Sequence, residues 1–89
     1  MKAIISVLGA DKPGIIAEIS GCLYRFNVNI LDITQTILSG YFTMVMMVDL
    51  SGMTCGFDEM VGNLNGLGEK LGLEIRMQRN EIFDAMHRL

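Results

Sequence analysis

The sequence predicts an α+β fold of the ferredoxin-like type, with the order β-α-β-β-α-β followed by a short C-terminal helix. Four segments alternate with a period of two, two segments between them have a period of 3.6, and turn residues separate them. This order places two helices on one face of a four-stranded antiparallel sheet of strand order 4-1-3-2. The 89 residues form one domain, with the βαββαβ unit at 2–79 and an extension at 80–89.

The first half of the chain predicts a strand and a helix. Residues 2–9 are rich in β-forming residues. Pro13 suits the first helical position, and Asp11 places a negative charge before the helix N-terminus. Asn27, or Asn29 after it, suits the turn that ends this helix. The apolar helical positions share one sector of a helical wheel: Ile15, Ile16, Ile19, Cys22, Leu23 and Phe26.

A hairpin and a second helix follow. Segments 29–38 and 41–50 are β-like and are separated by Ser39 and Gly40, which predicts a hairpin. Because strand three is apolar on both sides, it is predicted to be central, as is strand one. After the loop 51–56, the apolar face of helix two is formed by Phe57, Met60, Val61, Leu64, Leu67 and Leu71.

The glycines of helix two and the final elements complete the pattern. Gly68 lies on the apolar face and allows close approach to the sheet, whereas Gly62 and Gly66 lie opposite, and Gly72 ends the helix. Strand four alternates cleanly, which is typical of an edge strand with one wet face. Asn80 caps a predicted terminal helix whose apolar face is formed by Ile82, Phe83, Met86 and Leu89.

The composition predicts an oligomer. Hydrophobic residues make up 51% and charged residues 19% of the chain. A domain this short buries only about 60–65% of the surface that its unfolded chain exposes. Two helices cover only one sheet face. The apolar residues on the other face of strands one and three must therefore be covered by the terminal helix, a second subunit or both.

Composition also excludes several classes of protein. No apolar run approaches the roughly 18 residues of a membrane span, and the net charge of −3 argues against a nucleic-acid partner. Cys22 and Cys55 are too few for a disulfide scaffold. The first residues fit a strand better than a signal peptide, so we expect a cytoplasmic protein with reduced thiols and no membrane partner.

The loop after strand one eliminates several functions known on this fold. It has no C-x-x-C for copper and no Arg for an acylphosphatase, and strand one has no aromatic residue for RNA. His87 has no metal-ligand partners, and no Ser, Cys or Thr has an evident base. Asp11 and Asp32 could approach for acid–base chemistry, but turn and helix-terminus roles are favoured. We expect no enzyme, metal site or cofactor.

A binding loop remains. Helix N-terminal amides bind a carboxylate, Asp or Asn oxygens bind an ammonium group, and a glycine lets a ligand approach the backbone. Strand two is an edge, so its first residues can meet a neighbouring subunit. A plain strand-to-helix turn at Pro13 and Gly14 is equally compatible with the residues. The candidate ligand-binding residues are Asp11, Pro13, Gly14, Ile15, Asn29 and Ile30.

Two segments resemble the ACT domain, a regulatory module of many amino-acid-metabolism enzymes. They are 9–19, which reads GADKPGIIAEI, and 27–33, which reads NVNILDI. A D-x-P-G-[IL] loop, a helix and N-I-x-D-I form a fairly specific combination, and the likeness runs over nearly the whole chain. The chain is most similar to small stand-alone ACT proteins of bacteria and archaea. It is also similar to ACT domains of the glycine cleavage repressor type.

The resemblance implies a dimer that binds an amino acid between the first loop of one subunit and strand two of another. By position, serine-type sites of the family have Asn at Asp11, the loop glycine at Gly14, Asn at Asn29 and His at Gly9. Glycine in place of histidine at Gly9 removes a polar contact to the effector. Aspartate at Asp11 places a negative charge where the effector carboxylate would lie. Both departures argue against serine itself.

Two functional hypotheses follow from the sequence. The first is a regulatory domain that binds a small molecule, an amino acid by resemblance, and acts as a homodimer or higher homo-oligomer. The alternative is a ligand-free dimerisation or partner-binding module in metabolic or transcriptional regulation. It is motivated by the apolar second sheet face and by the small residues Gly14, Ala17 and Gly21 on the outer side of helix one.

Overall fold

The computed structural model describes residues 1–79, and these follow the predicted order of elements. The antiparallel sheet has the order β2-β3-β1-β4, which is the predicted 4-1-3-2 counted from the other edge. No helix in this part of the chain is long and apolar enough to cross a membrane. The terminal helix predicted at 80–89 lies outside the described residues. The elements are β1 Lys2–Ala10, α1 Ile15–Arg25, β2 Asn29–Leu38, β3 Tyr41–Asp49, α2 Phe57–Leu71 and β4 Leu73–Arg79.

The core lies between the two helices and one face of the sheet. Alternate residues of the strands point to this face, as the period of two requires. The strand residues that are buried on this face are Ala3, Ile5 and Val7 of β1, Phe42, Met44, Met46 and Val48 of β3, and Leu73, Ile75 and Met77 of β4. The buried helical residues are Ile15, Ile19, Cys22 and Leu23 of α1 and Met60, Leu64 and Gly68 of α2.

One residue predicted on the core face of α1 lies elsewhere. Ile16 is 37% exposed, while Ile15 and Ile19 on either side of it are buried. Ile16 lies about 100° around the helix from Ile15, on the flank opposite Glu18, whose carboxylate faces Lys70 of α2 at 3.9 Å. Ile16 therefore lies on the outer flank of α1, turned away from α2.

Neither helix of residues 1–79 covers the opposite face of the sheet, which carries further apolar residues. Four of them, on the two central strands, form what we call the apolar strip: Ile4, Leu8, Val45 and Met47. Leu8 is 50% and Val45 is 44% exposed, whereas Met47 is half-buried and Ile4 is buried, with 6% exposure. Polar residues of the edge strands border the strip, with Asp32, Thr34 and Thr36 on β2 and Glu74, Arg76 and Gln78 on β4.

A β-bulge in β2 changes which of its residues face the helices. Ile30 pairs with Val48 and Asp32 pairs with Met47, so Leu31 is an extra residue without a partner on β3. Because the bulge shifts the alternation by one, Ile33 lies opposite the core residue Met46. The alternation in the sequence does not reveal this shift.

Candidate functional site

The loop between β1 and α1 ends at a glycine in a left-handed conformation. Gly14 has φ 88° and ψ 0° and caps α1, which begins at Ile15, and its carbonyl accepts the amide of Glu18 at 2.9 Å. The prediction that Pro13 opens the helix was therefore wrong, because the left-handed turn at Gly14 delays helical geometry by two residues. Gly14 has no side chain that could cap the helix, and Asp11 is exposed.

Two contacts hold this loop in place. The amide of Asp11 donates to the carbonyl of Gly40 in the β2–β3 hairpin at 2.8 Å. The ammonium group of Lys12 donates to the carbonyl of Leu71 at the C-terminal end of α2. A cation at a helix C-terminus is stabilised by the helix dipole. The loop is thus fixed between the hairpin and the end of α2.

The groups presented by the loop are backbone amides and one carboxylate. Since the hydrogen bond from Glu18 to Gly14 is the first in α1, helical geometry leaves the amides of Ile15, Ile16 and Ala17 without intrahelical acceptors. The Ile15 side chain is 2% exposed and belongs to the core, so only its backbone can contribute to a site. A Cβ added to Gly14 would meet nothing within 4 Å, which leaves the approach to these amides open.

The other predicted site residues lie at the far end of the sheet. Asn29 pairs with Asp49, which pairs with Lys2 at the start of β1, whereas Asp11 follows Ala10 at its end. Eight residue steps of a strand correspond to about 26 Å. Within one chain, therefore, Asn29 and Ile30 are too far from Asp11, Pro13 and Gly14 to share a small ligand with them.

Asn29 lines a depression of its own. The depression has a volume of about 320 Å³ and is lined by Tyr24, Asn27, Val28, Asn29, Asp49 and Gly52. The hydroxyl and the amide of Ser51 donate to Asp49 Oδ1 at 2.6 and 2.9 Å. These two hydrogen bonds hold the pKa of Asp49 below its ordinary value of 3.8. The neighbourhood of Asn29 therefore carries a stable negative charge at neutral pH.

Acid–base chemistry between Asp11 and Asp32 does not fit this geometry. Asp32 pairs with Met47, which pairs with Ile4, six residue steps from Ala10 at the end of β1. Six steps correspond to about 20 Å along the sheet. The two carboxylates thus lie too far apart within one chain to act on one substrate.

The outer side of β2 is an uncovered sheet edge. In residues 1–79, β2 pairs with β3 alone, and its long apolar side chains are partly exposed. Ile37 is 56% and Leu38 is 73% exposed. Asp32 is the single charged residue of the strand, and it accepts the amide of Ile33 at 2.9 Å. Edge strands of monomeric proteins carry charges, prolines or covering elements that prevent pairing, and this strand has little such protection.

A groove between the two helices is lined by Ala17 and Gly21, which therefore face α2 and not the outer side of helix one that the sequence predicts. It measures about 600 Å³, and six of its lining residues are Ala17, Gly21, Arg25, Asn63, Gly66 and Lys70. A Cβ added at Gly21 or Gly66 would meet nothing within 4 Å. The groove is open to solvent, and its charged groups are exposed.

Both cysteines lie in or against the hydrophobic core. Cys22 is buried in the core and Cys55 is half-buried; burial, with a smaller effect of Glu59, raises the pKa of the Cys55 thiol. No group of three His, Cys, Asp or Glu residues able to hold a metal ion occurs in the part of the chain that the structure describes.

Comparisons with known proteins agree with the fold. The family model of the ACT domain matches residues 2–78. A UPF0237 protein of Listeria innocua is 51% identical over 89 residues, which cover 100% of both chains. The solved ACT domain protein of Streptococcus pneumoniae has a TM-score of 0.82 and 41% identity, over 93% of each chain.

A third comparison tests the resemblance to glycine cleavage repressors. A solved protein proposed to be a glycine cleavage system transcriptional repressor has a TM-score of 0.73 and 26% identity, over 88% of this chain and 44% of that one. The D-x-P-G-I loop and the N-I-x-D-I strand that first pointed to the family both lie within residues 2–78, which the ACT family model matches. The chain, with its regulatory-type fold, belongs to the ACT domain family.

Proposed function

We propose that the protein is a regulatory domain that binds a small amino acid in a site shared by two copies of the chain. The observation that carries this proposal is the separation of the two groups of site residues. The amides of α1 and the carboxylate of Asp11 lie at one end of the sheet, and Asn29 lies at the other. A site that uses both needs a second copy.

Antiparallel pairing of β2 with β2 of a second copy would bring the two groups together. In full-length pairing, Asn29 of one chain faces Leu38 of the other, next to the hairpin whose Gly40 holds Asp11. The order β2-β3-β1 then puts the backbones of Asn29 and Ala10 of the other chain about three strand spacings, or ~14 Å, apart. Side chains and a small ligand fill that distance.

The chemistry of the shared site suits a zwitterion. Free helix amides with the positive end of a helix dipole attract a carboxylate, and Asp11 and Asn29 offer oxygens to an ammonium group. Pro13 and Gly14 shape the loop, and Ile15 contributes its amide. Ile30 lies beside Asn29 at the start of the edge strand, where it meets the second copy in this pairing.

A thermal-shift screen of the amino acids at about 10 mM tests the proposal. A ligand present at about 100 times its Kd stabilises the protein by about 2.7 kcal/mol, which for a domain of this size raises Tm by roughly 10–20 °C. We expect Asn29→Ala to abolish the shift and Asn65→Ala, an exposed Asn on α2, to preserve it. The idea fails if no amino acid changes Tm, or if both variants keep the shift.

The dimer is tested separately by light scattering. Ile37→Lys places a charge on the exposed edge of β2, and Gln78→Lys places the same charge on the exposed side of β4. We expect a dimer for the natural sequence and for Gln78→Lys, and dissociation for Ile37→Lys. A monomer at about 100 µM before any substitution would remove the basis of the shared site.

A ligand-free dimerisation or partner-binding module is the second candidate. The exposed apolar residues of β2 favour it, because they would form a dimer interface whether or not a ligand binds. A dimer that persists while no amino acid changes Tm would select this function over the first.

A further inference from the structure

We infer that residues 80–89 of the same chain cover the open face of the sheet by packing on the apolar strip. Ile4, Leu8, Val45 and Met47 form this strip on the two central strands, where the small polar residues Ser6 and Thr43 lie among them. Polar side chains of both edge strands lie on either side. An apolar surface about two strands wide between polar borders is complementary to the apolar face of one amphipathic helix. This inference is independent of the ligand site and of the β2 edge.

The register of β4 directs the chain toward this strip. Arg79, the last residue of β4, lies beside Ala3, and Gln78 lies beside Ile4. The side of the sheet that carries α2 is occupied at this point, because the Arg79 guanidinium lies over the Phe57 ring at 4.5 Å. For a chain continuing from Arg79, the open face is the side that elements of residues 1–79 leave free.

The segment matches the strip in length and in chemistry. Residues 80–89 read NEIFDAMHRL and have the helical apolar pattern Ile82, Phe83, Met86 and Leu89. Ten helical residues span about 15 Å, and the strip from Ile4 to Leu8 spans about 13 Å. Beyond Ile4, a depression of about 430 Å³ lined mainly by apolar surface, including Leu8 and Val45, would receive the later apolar residues.

A tether favours this segment over a second copy. The segment follows β4 directly, so its effective concentration at the strip is in the millimolar range, well above the concentration of free protein in an assay. Covering the strip within the chain also leaves β2 available for pairing. If residues 80–89 cover the strip, its shielding does not change on dilution. If a second copy covers it, dilution exposes the strip.

A tryptophan reporter tests the inference, because the natural sequence contains no Trp. In the full chain with Val45→Trp, we expect emission at shorter wavelength than Trp in water and weak quenching by acrylamide. Adding Phe83→Asp should move the emission to longer wavelength and increase quenching several-fold. Adding His87→Asp, which introduces the same charge on the polar side of the predicted helix, should change neither.

Several results would overturn the inference. They are a reporter as accessible as free Trp, equal effects of Phe83→Asp and His87→Asp, and shielding that rises with protein concentration from about 1 to 100 µM, which would identify a second copy as the occupant. Far-UV circular dichroism checks that each variant is folded. If Val45→Trp does not fold, Thr43→Trp, on the same face beside Leu8, serves as the reporter.

Discussion

Gly68 and Gly62 lie on opposite sides of α2, and replacing each with alanine should change stability in opposite directions. A Cβ on Gly68 would lie 2.6 Å from the carbonyl oxygen of Leu73 and 3.5 Å from the side chain of Ile75. The first contact is with backbone, which cannot move aside as a flexible side chain could. A Cβ on Gly62 would meet nothing within 4 Å.

The magnitudes follow from two opposing effects. Alanine is better than glycine in a helix interior by about 0.8–1.0 kcal/mol, and this gain applies at both positions. At Gly68 it is opposed by overpacking, which costs about 1–3 kcal/mol. We therefore expect Gly62→Ala to stabilise by up to about 1 kcal/mol. Gly68→Ala should destabilise by up to about 2 kcal/mol.

Urea unfolding followed by circular dichroism measures both changes at one protein concentration, since an oligomer has a concentration-dependent stability. In thermal unfolding, we expect Tm to rise by up to about 4–8 °C for Gly62→Ala and to fall by up to twice that for Gly68→Ala. If the two variants are equally stable, the close approach of α2 to Leu73 does not limit the size of the side chain, and the reasoning is refuted.

Three further predictions concern polar groups. Lys12→Met should destabilise by about 0.3–1 kcal/mol in urea unfolding, since it removes the cation from the Leu71 carbonyl at the end of α2. Because the pKa of Asp49 is lowered in the folded protein, its stabilising contribution is present above 3.8 and is lost as pH falls through the lower folded value. Ser51→Ala should raise that pKa in an NMR titration and weaken this acid-side loss of Tm. Cys55 should react more slowly with iodoacetamide at pH 8 than a free thiol, and unfolding in urea should remove the difference.

The fold could be predicted because local periodicity and turn residues agree along the chain. Residues that are apolar on both sides identified β1 and β3 as central strands, and Gly72, at φ 70°, ends α2 as its position suggested. The start of α1 was misplaced because Pro13 favours a first helical turn, whereas Gly14 adopts a left-handed conformation that the sequence permits without requiring. The loop that leads to Gly14 is also held by the hydrogen bond from Asp11 to Gly40, which is remote in sequence.

The candidate site could be predicted only as two separate pieces. The pattern around Asp11 and Gly14 and the pattern around Asn29 were each recognised from the sequence, but their separation follows from strand direction and register. The bulge at Leu31 also decides which side chains of β2 face the helices and which face the other side of the sheet. A one-residue irregularity leaves no signature in hydrophobic alternation, so the sequence alone could not supply it.

Because of that irregularity, the effect of a one-residue deletion in β2 depends on where the deletion falls. Deleting Leu31 would join the strand without the extra residue and restore simple alternation after Ile30. Because Ile30 and Asp32 already pair with the adjacent residues Val48 and Met47, every other residue of β2 would keep its partner and its face. Deleting a regularly paired residue such as Gln35 would instead give the residues on one side of it new partners on β3 and turn them to the opposite face. The bulge is thus a position at which β2 can lose a residue without a change of register, as a surface loop can.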